Sequence, residues 1–518
     1  MPRTFRPPRR ARRVLGRVLV VVLALAGLSA GLLGFAWTTA AVDTADDVDF
    51  TRPLPIPPLA DSTVDDDGRR VFDLRLQSGR TDFGRGGPAA DTWGINGDYL
   101  GPTLRAERGE QVAVQVTNDV GETTTLHWHG MHLPAVMDGG PQQTVGPGET
   151  WEPTWRIDQP AATLWYHPHL HGETAPHVYR GLAGLFLLDD PGNTPSSLPN
   201  QYGVDDLPVI VQDKAFTDDG QLDDEAPIFS PTGFLGDTIV VNGTVGPYAE
   251  VTSERVRLRL LNGSNARIYN FGLIGSDGEE RGMHLVGTDG GLLSAPAAVD
   301  RVMLSPGERA EVVVSMTPGE TMTLCSFPAD LGADFWNERF SGGDDTVDVL
   351  ELRAADDLDP SPQLPDRLAP APDLRANDAM VTRSFRLGGT NINGRDMDMN
   401  RIDEVVRVGD TEVWEARNAG GTPHNFHVHG VQFQVIDVDG DPPPPQLSGW
   451  KDTVYVAPDS TVRLIMRFDA YPDPDNPFMF HCHLLRHEDQ GMMGQFVVVE
   501  SGDDFQPGQR LDDHGGHQ

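Results

Sequence analysis

A chain of 518 residues with 77 acidic and 40 basic side chains, a formal net charge of −37, is too long for one hydrophobic core and too acidic to grip phosphates. Only two lysines occur, Lys214 and Lys451, and no basic face can be assembled beyond the first 17 residues, so nucleic acid is excluded as a partner and the acidic surface reads as a solvated one. With 57 glycines and 42 prolines the composition suits many short strands joined by turns, and the fold class is read as all-β.

The first element is not part of that fold. After the basic stretch "MPRTFRPPRRARRVLGR", Val18 to Trp37 runs for 20 residues without a charge, long enough at ~1.5 Å per residue to cross a ~30 Å hydrocarbon core. Residues 1–45 are therefore set apart as an export signal or an N-terminal membrane anchor, with small residues at Thr38 to Ala41 offering a weak cleavage site. Either way the basic end stays inside and the body is exported, to the periplasm, the cell surface or the medium. Arg12-Arg13-Val14-Leu15 is similar to a twin-arginine signal, the export route of folded, cofactor-loaded proteins, which makes that export machinery a partner.

Past the Pro-rich linker Thr51 to Ala60, one pattern appears three times: an Asn-Gly turn, an acidic or Gly-rich bend, an alternating strand and a closing asparagine. The copies open at Asn96, Asn242 and Asn393 and close at Asn118, Asn262 and Asn418. Their openings lie 146 and 151 residues apart, the size of a β-sandwich domain. Linkers at Asp189 to Gly203 and Ala354 to Asp373 give three tandem Greek-key β-sandwiches over residues 46–195, 203–353 and 374–500, followed by a disordered acidic tail, 501–518, that carries His514 and His517.

Ten of the 16 histidines fall in four clusters: His127 and His129, His167 and His169, His424 with His427 and His429, and His481 with His483 and His487. Each cluster contains His-x-His, which on a strand aims two imidazoles to one side. Two pairs lie in the first repeat, two in the third and none in the second. Eight convergent imidazoles exceed what one metal takes, so a cluster of several metals is implied.

The same alternation turns Cys482, between His481 and His483, to the opposite side, where His424, His487 and Met492 are its companions. A thiolate, two imidazoles and a weak thioether are the ligand set of a blue-copper electron-transfer site, and the peptide around Cys482 would link the two sites covalently. The other cysteine, Cys325 in "MTLCSF", reads as a small apolar strand residue, since two cysteines make no disulfide framework.

These four clusters resemble the copper signatures of the multicopper oxidases, the family of laccases, bilirubin oxidases and bacterial copper-efflux oxidases, over about Phe72 to Val499. The resemblance implies three cupredoxin domains, the middle one without copper ligands, and four coppers per chain. It assigns His424, Cys482, His487 and axial Met492 to type 1 copper, His127 and His427 to type 2, and His129, His167, His169, His429, His481 and His483 to the type 3 pair. It further implies one-electron oxidation of a donor, phenolic or aromatic compound or cuprous ion, coupled to reduction of dioxygen to water. Glu488, next to His487, and Asp138 in "AVMDGGPQ" resemble the family's proton-relay carboxylates. His132, His171 and His177 match no ligand position.

"LHWHG" and "HCHLLRHEDQGMM" look most like the copper-efflux oxidases, with three departures. The Met- and His-rich insert before the third copper motif is absent, "NAGGTP" before His424 lacks the Asp and Met of their substrate-copper site, and Asn425 stands where proline is usual, without an expected change in ligation. The alternative function is copper sequestration without turnover, which would not need a cysteine bridging two kinds of site.

Overall fold

The computed structural model describes residues 9–227, 229–371, 373–503 and 505–509. Alternating apolar residues make the strands: in Arg70–Thr81, Phe72, Leu74 and Leu76 face inward while Asp73 and Arg75 face solvent. Pairing these faces gives two sheets per repeat and a separate core in each.

The three repeats share a topology. Arg70–Thr81 runs parallel to Gln111–Asp119, Asp206–Phe216 to Arg255–Asn262, and Val381–Gly388 to Thr411–Asn418. In the facing sheets, Leu104–Glu107 runs parallel to Gly184–Asp189, Pro247–Ser253 to Val347–Asp359, and Glu404–Arg407 to Met493–Val499.

The six asparagines that mark the repeats do the same work each time. Asn96, Asn242 and Asn393 adopt φ of 57°, 49° and 56°, a left-handed turn that asparagine tolerates, and each side-chain oxygen accepts from a strand amide, that of Arg75, Ile210 or Arg386. Asn118, Asn262 and Asn418 are fully buried. Each side-chain amide bridges two backbone carbonyls, those of Glu122 and Val145, Arg267 and Leu304, or Thr422 and Val456, at 2.7–3.1 Å. A buried amide satisfied in this way fixes the end of the strand it closes.

The apolar N-terminal stretch is one helix, Arg9–Ala40, whose side chains from Val18 to Phe35 stand exposed all round. Beyond it the chain joins the middle sandwich. Thr44 N donates to the Thr346 carbonyl at 2.9 Å, Thr346 N to the Val42 carbonyl at 3.0 Å, and Arg52–Pro53 adds a short parallel strand beside Pro247–Ser253. At the other end, residues 505–509 turn back onto the third sandwich rather than continuing as a polar tail. Phe505 packs on the Ile402, Val405, Val497 and Val499 cluster, and Gly508 N donates to the Ile402 carbonyl at 2.7 Å. His514 and His517 lie outside the described residues, as do the first eight residues.

Candidate metal centre

The four His-x-His pairs meet at the seam between the first and third sandwiches. His127–His129 pairs antiparallel with Ala162–His167, with His127 opposite His167, and His424–Val428 pairs with Asp473–His481, with His427 opposite His481. Strand alternation explains only the first pair. His169, His429 and His483 lie just past their strands, and each is aimed by a pinned amide: His169 N donates to Thr125 Oγ1 at 2.6 Å, His429 N to the Met479 carbonyl at 2.9 Å, and His483 N to Asn425 Oδ1 at 2.6 Å.

Six of the eight rings form two triads. His169 Nε2 and His429 Nε2 each lie 3.0 Å from His481 Nε2, while His129 Nδ1 and His483 Nε2 lie 3.3 and 3.4 Å from His167 Nε2. Each triad draws on both sandwiches. The remaining rings, His127 and His427, hold their Nδ1 atoms against the carbonyls of Asp138 at 2.9 Å and Asp452 at 2.8 Å. Those bonds put the proton on Nδ1 and leave each buried Nε2 as a lone pair with no hydrogen-bond partner.

All eight rings are buried. Burial pushes His169 and His483 down to about 3, against the opposing pull of Glu488, and holds His129, His167, His427 and His429 well below the ordinary histidine range, with neighbouring imidazoles adding to the effect. Those six imidazoles are therefore neutral, the form that ligates metal. Lone pairs turned on one another at about 3 Å, two of them orphaned in a dry pocket, fit a cluster of cations that favour nitrogen donors.

Cys482 faces the other way. Its Sγ lies 3.6 Å from His424 Nδ1 and 3.7 Å from His487 Nδ1, and the two imidazole nitrogens are 3.1 Å apart. Met492 is buried in the same cluster, with its carbonyl accepting from Cys482 N at 3.1 Å and its amide donating to the His487 carbonyl at 2.9 Å. Burial raises the Cys482 thiol to about 12 and lowers His487 to about 4. One thiol, two neutral imidazoles and a nearby thioether residue fit copper better than zinc.

Both predicted acids lie at the histidine cluster. Glu488 is buried with its oxygens 3.4 Å from His169 Nδ1 and 3.3 Å from His481 Nδ1, and neither oxygen has a hydrogen-bond partner. Asp138 Oδ2 lies 2.7 Å from His429 Nδ1. His132, His171 and His177 join none of the metal-binding groups found among the described residues.

Two residues, Asp452 and Arg309, escaped the sequence reading. Asp452 accepts two bonds from the buried Arg309 guanidinium, at 2.7 and 2.6 Å, while its Oδ1 stands 3.0 Å from His129 Nε2. The signal was the charged pair Lys451-Asp452 inside an otherwise apolar strand region. Asn425 does more than replace a proline: beyond holding His483, it donates to Ser305 Oγ at 3.0 Å and the Pro306 carbonyl at 2.9 Å, tying the cysteine site to the middle sandwich. No pattern in the sequence announces that contact, because its partners lie about 120 residues away.

Comparison with known proteins agrees with this geometry. The sequence profile of the family described as multicopper oxidase matches residues 79–193, and a second of the same description matches 360–502. "Multicopper oxidase mco" of Staphylococcus haemolyticus is 35% identical over 453 residues, covering 86% of this chain and 92% of its own. The chain belongs to the multicopper oxidase family. The chain is also 41% identical over 452 residues to "Cell division protein FtsP" of Edwardsiella tarda, covering 86% of this chain and 92% of the relative. Among solved structures, a laccase from Pediococcus acidilactici superposes with a TM-score of 0.77 at 35% identity, covering 87% of this chain and 95% of that one. A laccase-like multicopper oxidase, CueO, from Ochrobactrum gives 0.77 at 38% identity, covering 86% and 100%. The three sandwiches are thus the cupredoxin-like domains of a multicopper oxidase.

Proposed function

We propose that this chain is an exported, copper-dependent oxidase that draws electrons one at a time from a small-molecule or cuprous-ion donor and delivers them to dioxygen, forming water. Type 1 copper would be held by His424, Cys482, His487 and Met492, type 2 by His127 and His427, and the type 3 pair by the triads His129, His167, His483 and His169, His429, His481. Copper supplies the one-electron redox chemistry and the reduction of dioxygen.

The chain's own residues do the rest. Cys482 joins the two groups through single peptide bonds to His481 and His483, a covalent route between the site that accepts electrons and the one that uses them. Glu488 and Asp138, each against cluster imidazoles, are placed to carry the protons that water formation consumes. Asp452 is a positioning residue: fixed by Arg309, it holds His129 and His427 in orientation. The apolar helix would remain as an anchor, with the body outside.

The observation that carries the reading is Cys482 between two cluster histidines. Sequestration needs only ligands and gains nothing from that bridge. Copper analysis with optical and paramagnetic spectra of the loaded protein tests the assignment: four coppers per chain and an intense thiolate-to-copper band are expected, and a colourless, fully loaded protein contradicts it.

A further inference from the structure

The apolar span of the N-terminal helix, Arg17–Ala40, is 24 residues long, about 36 Å at 1.5 Å per residue, which exceeds a ~30 Å hydrocarbon core. Its valines, leucines and Phe35 stand exposed among the described residues, as befits a helix in lipid. Trp37, near its outer end, stacks on Phe335 at 4.1 Å and also touches Trp336 and Phe340 at 5.7 and 6.2 Å. These three belong to the short helix Phe335–Phe340 of the middle domain, whose Arg339 Nε donates to the Trp37 carbonyl at 3.1 Å. With Val42 N bonded to Asp345 Oδ1 at 2.8 Å, the body is seated against the end of the apolar helix with no free linker between them.

The aromatic seat continues outward. Phe335 is 71% exposed and Phe229 42%, and Phe229 lies 6.1 Å from Trp336 and 5.5 Å from Phe340. Two residues on, the Pro231 carbonyl accepts from His487 Nε2 at 2.8 Å. From the other side, Gly421, in the loop that leads to His424, sits against Asn337 and Asp334 of the short helix. The short helix Phe335–Phe340 therefore stands between the loop that leads to His424 and the end of the apolar helix.

We propose that Trp37, Phe229, Phe335 and Trp336 form a docking surface that rests on the outer face of the lipid bilayer, and that the retained helix thereby holds the His487 edge of the type 1 site at the lipid–water boundary. Aromatic rings at the outer end of a membrane-crossing helix occupy the position that tryptophan favours at such boundaries. Lipid is the occupant because the patch is continuous with the helix that enters it. The position of the electron-accepting edge rests on the oxidase reading; the docking surface does not.

The test uses the full chain reconstituted in phosphatidylcholine vesicles carrying lipids brominated at the shallow end of the acyl chain. Part of the tryptophan emission is expected to be quenched, and that part should shrink in Trp336→Phe and again in Trp37→Phe. Unchanged quenching in Trp336→Phe, or a membrane-purified chain whose intact mass begins at residues 38–42, overturns the proposal. Self-association through the patch, seen as a dimer in vesicles that Phe335→Asp disperses without loss of quenching at Trp336, also overturns it. In a second arm, oxygen uptake is followed with a vesicle-borne hydroquinone and a water-soluble one of the same ring. Phe335→Asp is expected to slow the first severalfold and leave the second unchanged; equal effects on both overturn the orientation of the site. Absence of uptake with either donor contradicts the oxidase reading, and quenching alone then decides the docking.

Discussion

His169 and His481 stand 312 residues apart in the chain and on different sandwiches, yet their Nε2 atoms meet at 3.0 Å in a fully buried pocket. Two imidazole nitrogens so placed share one hydrogen bond at best, and His429 Nε2 closes on the same atom of His481. Cations shared by the two sandwiches would turn this crowding into attraction and clamp the domains together.

Copper should therefore stabilise the protein as a cross-domain clamp. At a copper concentration a hundredfold above Kd the native state gains about 2.7 kcal/mol per site. A higher Tm on copper loading, most of it lost in His169→Ala, is expected by calorimetry. An unchanged Tm in wild-type protein at full occupancy would contradict a shared site.

Cys482→Ser should remove the intense visible band while the histidine cluster keeps its copper, because the serine leaves His481 and His483 untouched. Electrons then have no way in and turnover is lost. A variant that keeps both the band and turnover would show that the thiol is no ligand.

Glu488→Gln and Asp138→Asn keep size and remove the exchangeable charge. Each should lower the rate of dioxygen reduction by about a hundredfold or more, with copper content and the visible band intact. Wild-type rates in both variants would leave the two acids as mere props for His169, His481 and His429.

Lys214 offers a prediction on stability that is independent of copper. It is buried, donates to the Tyr179 carbonyl at 2.7 Å, and burial lowers its pKa to about 7, against the pull of Asp213. The unfolded chain, with lysine near 10.5, binds more protons than the folded one between about pH 7 and 10.5. Stability should thus rise with pH across that window, by up to about 1.4 kcal/mol per pH unit from this group, and fall to a lower plateau below it. Lys214→Met should flatten that part of the Tm-against-pH curve; an identical slope in both proteins would place the titration elsewhere.

Much of this architecture was legible in the sequence for a physical reason. Asn96, Asn242 and Asn393 are held by the geometry of the turn they make, and Asn118, Asn262 and Asn418 by the buried carbonyls they bridge, so the repeat shows at the level of single residues. The histidines showed because imidazoles at a spacing of two are costly to bury without purpose. What strand alternation does not explain is the aim of His169, His429 and His483, which lie past their strands and depend on contacts from Thr125, Met479 and Asn425 in other segments. Arg309 stayed hidden for the same reason: its buried ion pair with Asp452 spans 143 residues, and the charged pair Lys451-Asp452 is its one local trace. The seat of Trp37 on Phe335 likewise joins two segments whose sequences suggest nothing of each other.

Coupling of donor oxidation to dioxygen reduction is measured directly by oxygen uptake of copper-loaded protein, with phenols, bilirubin and cuprous ion supplied side by side. Uptake with at least one donor is expected, with four electrons consumed per dioxygen and no accumulation of hydrogen peroxide. No uptake with any of them, in protein shown to hold its full complement of copper, would contradict it.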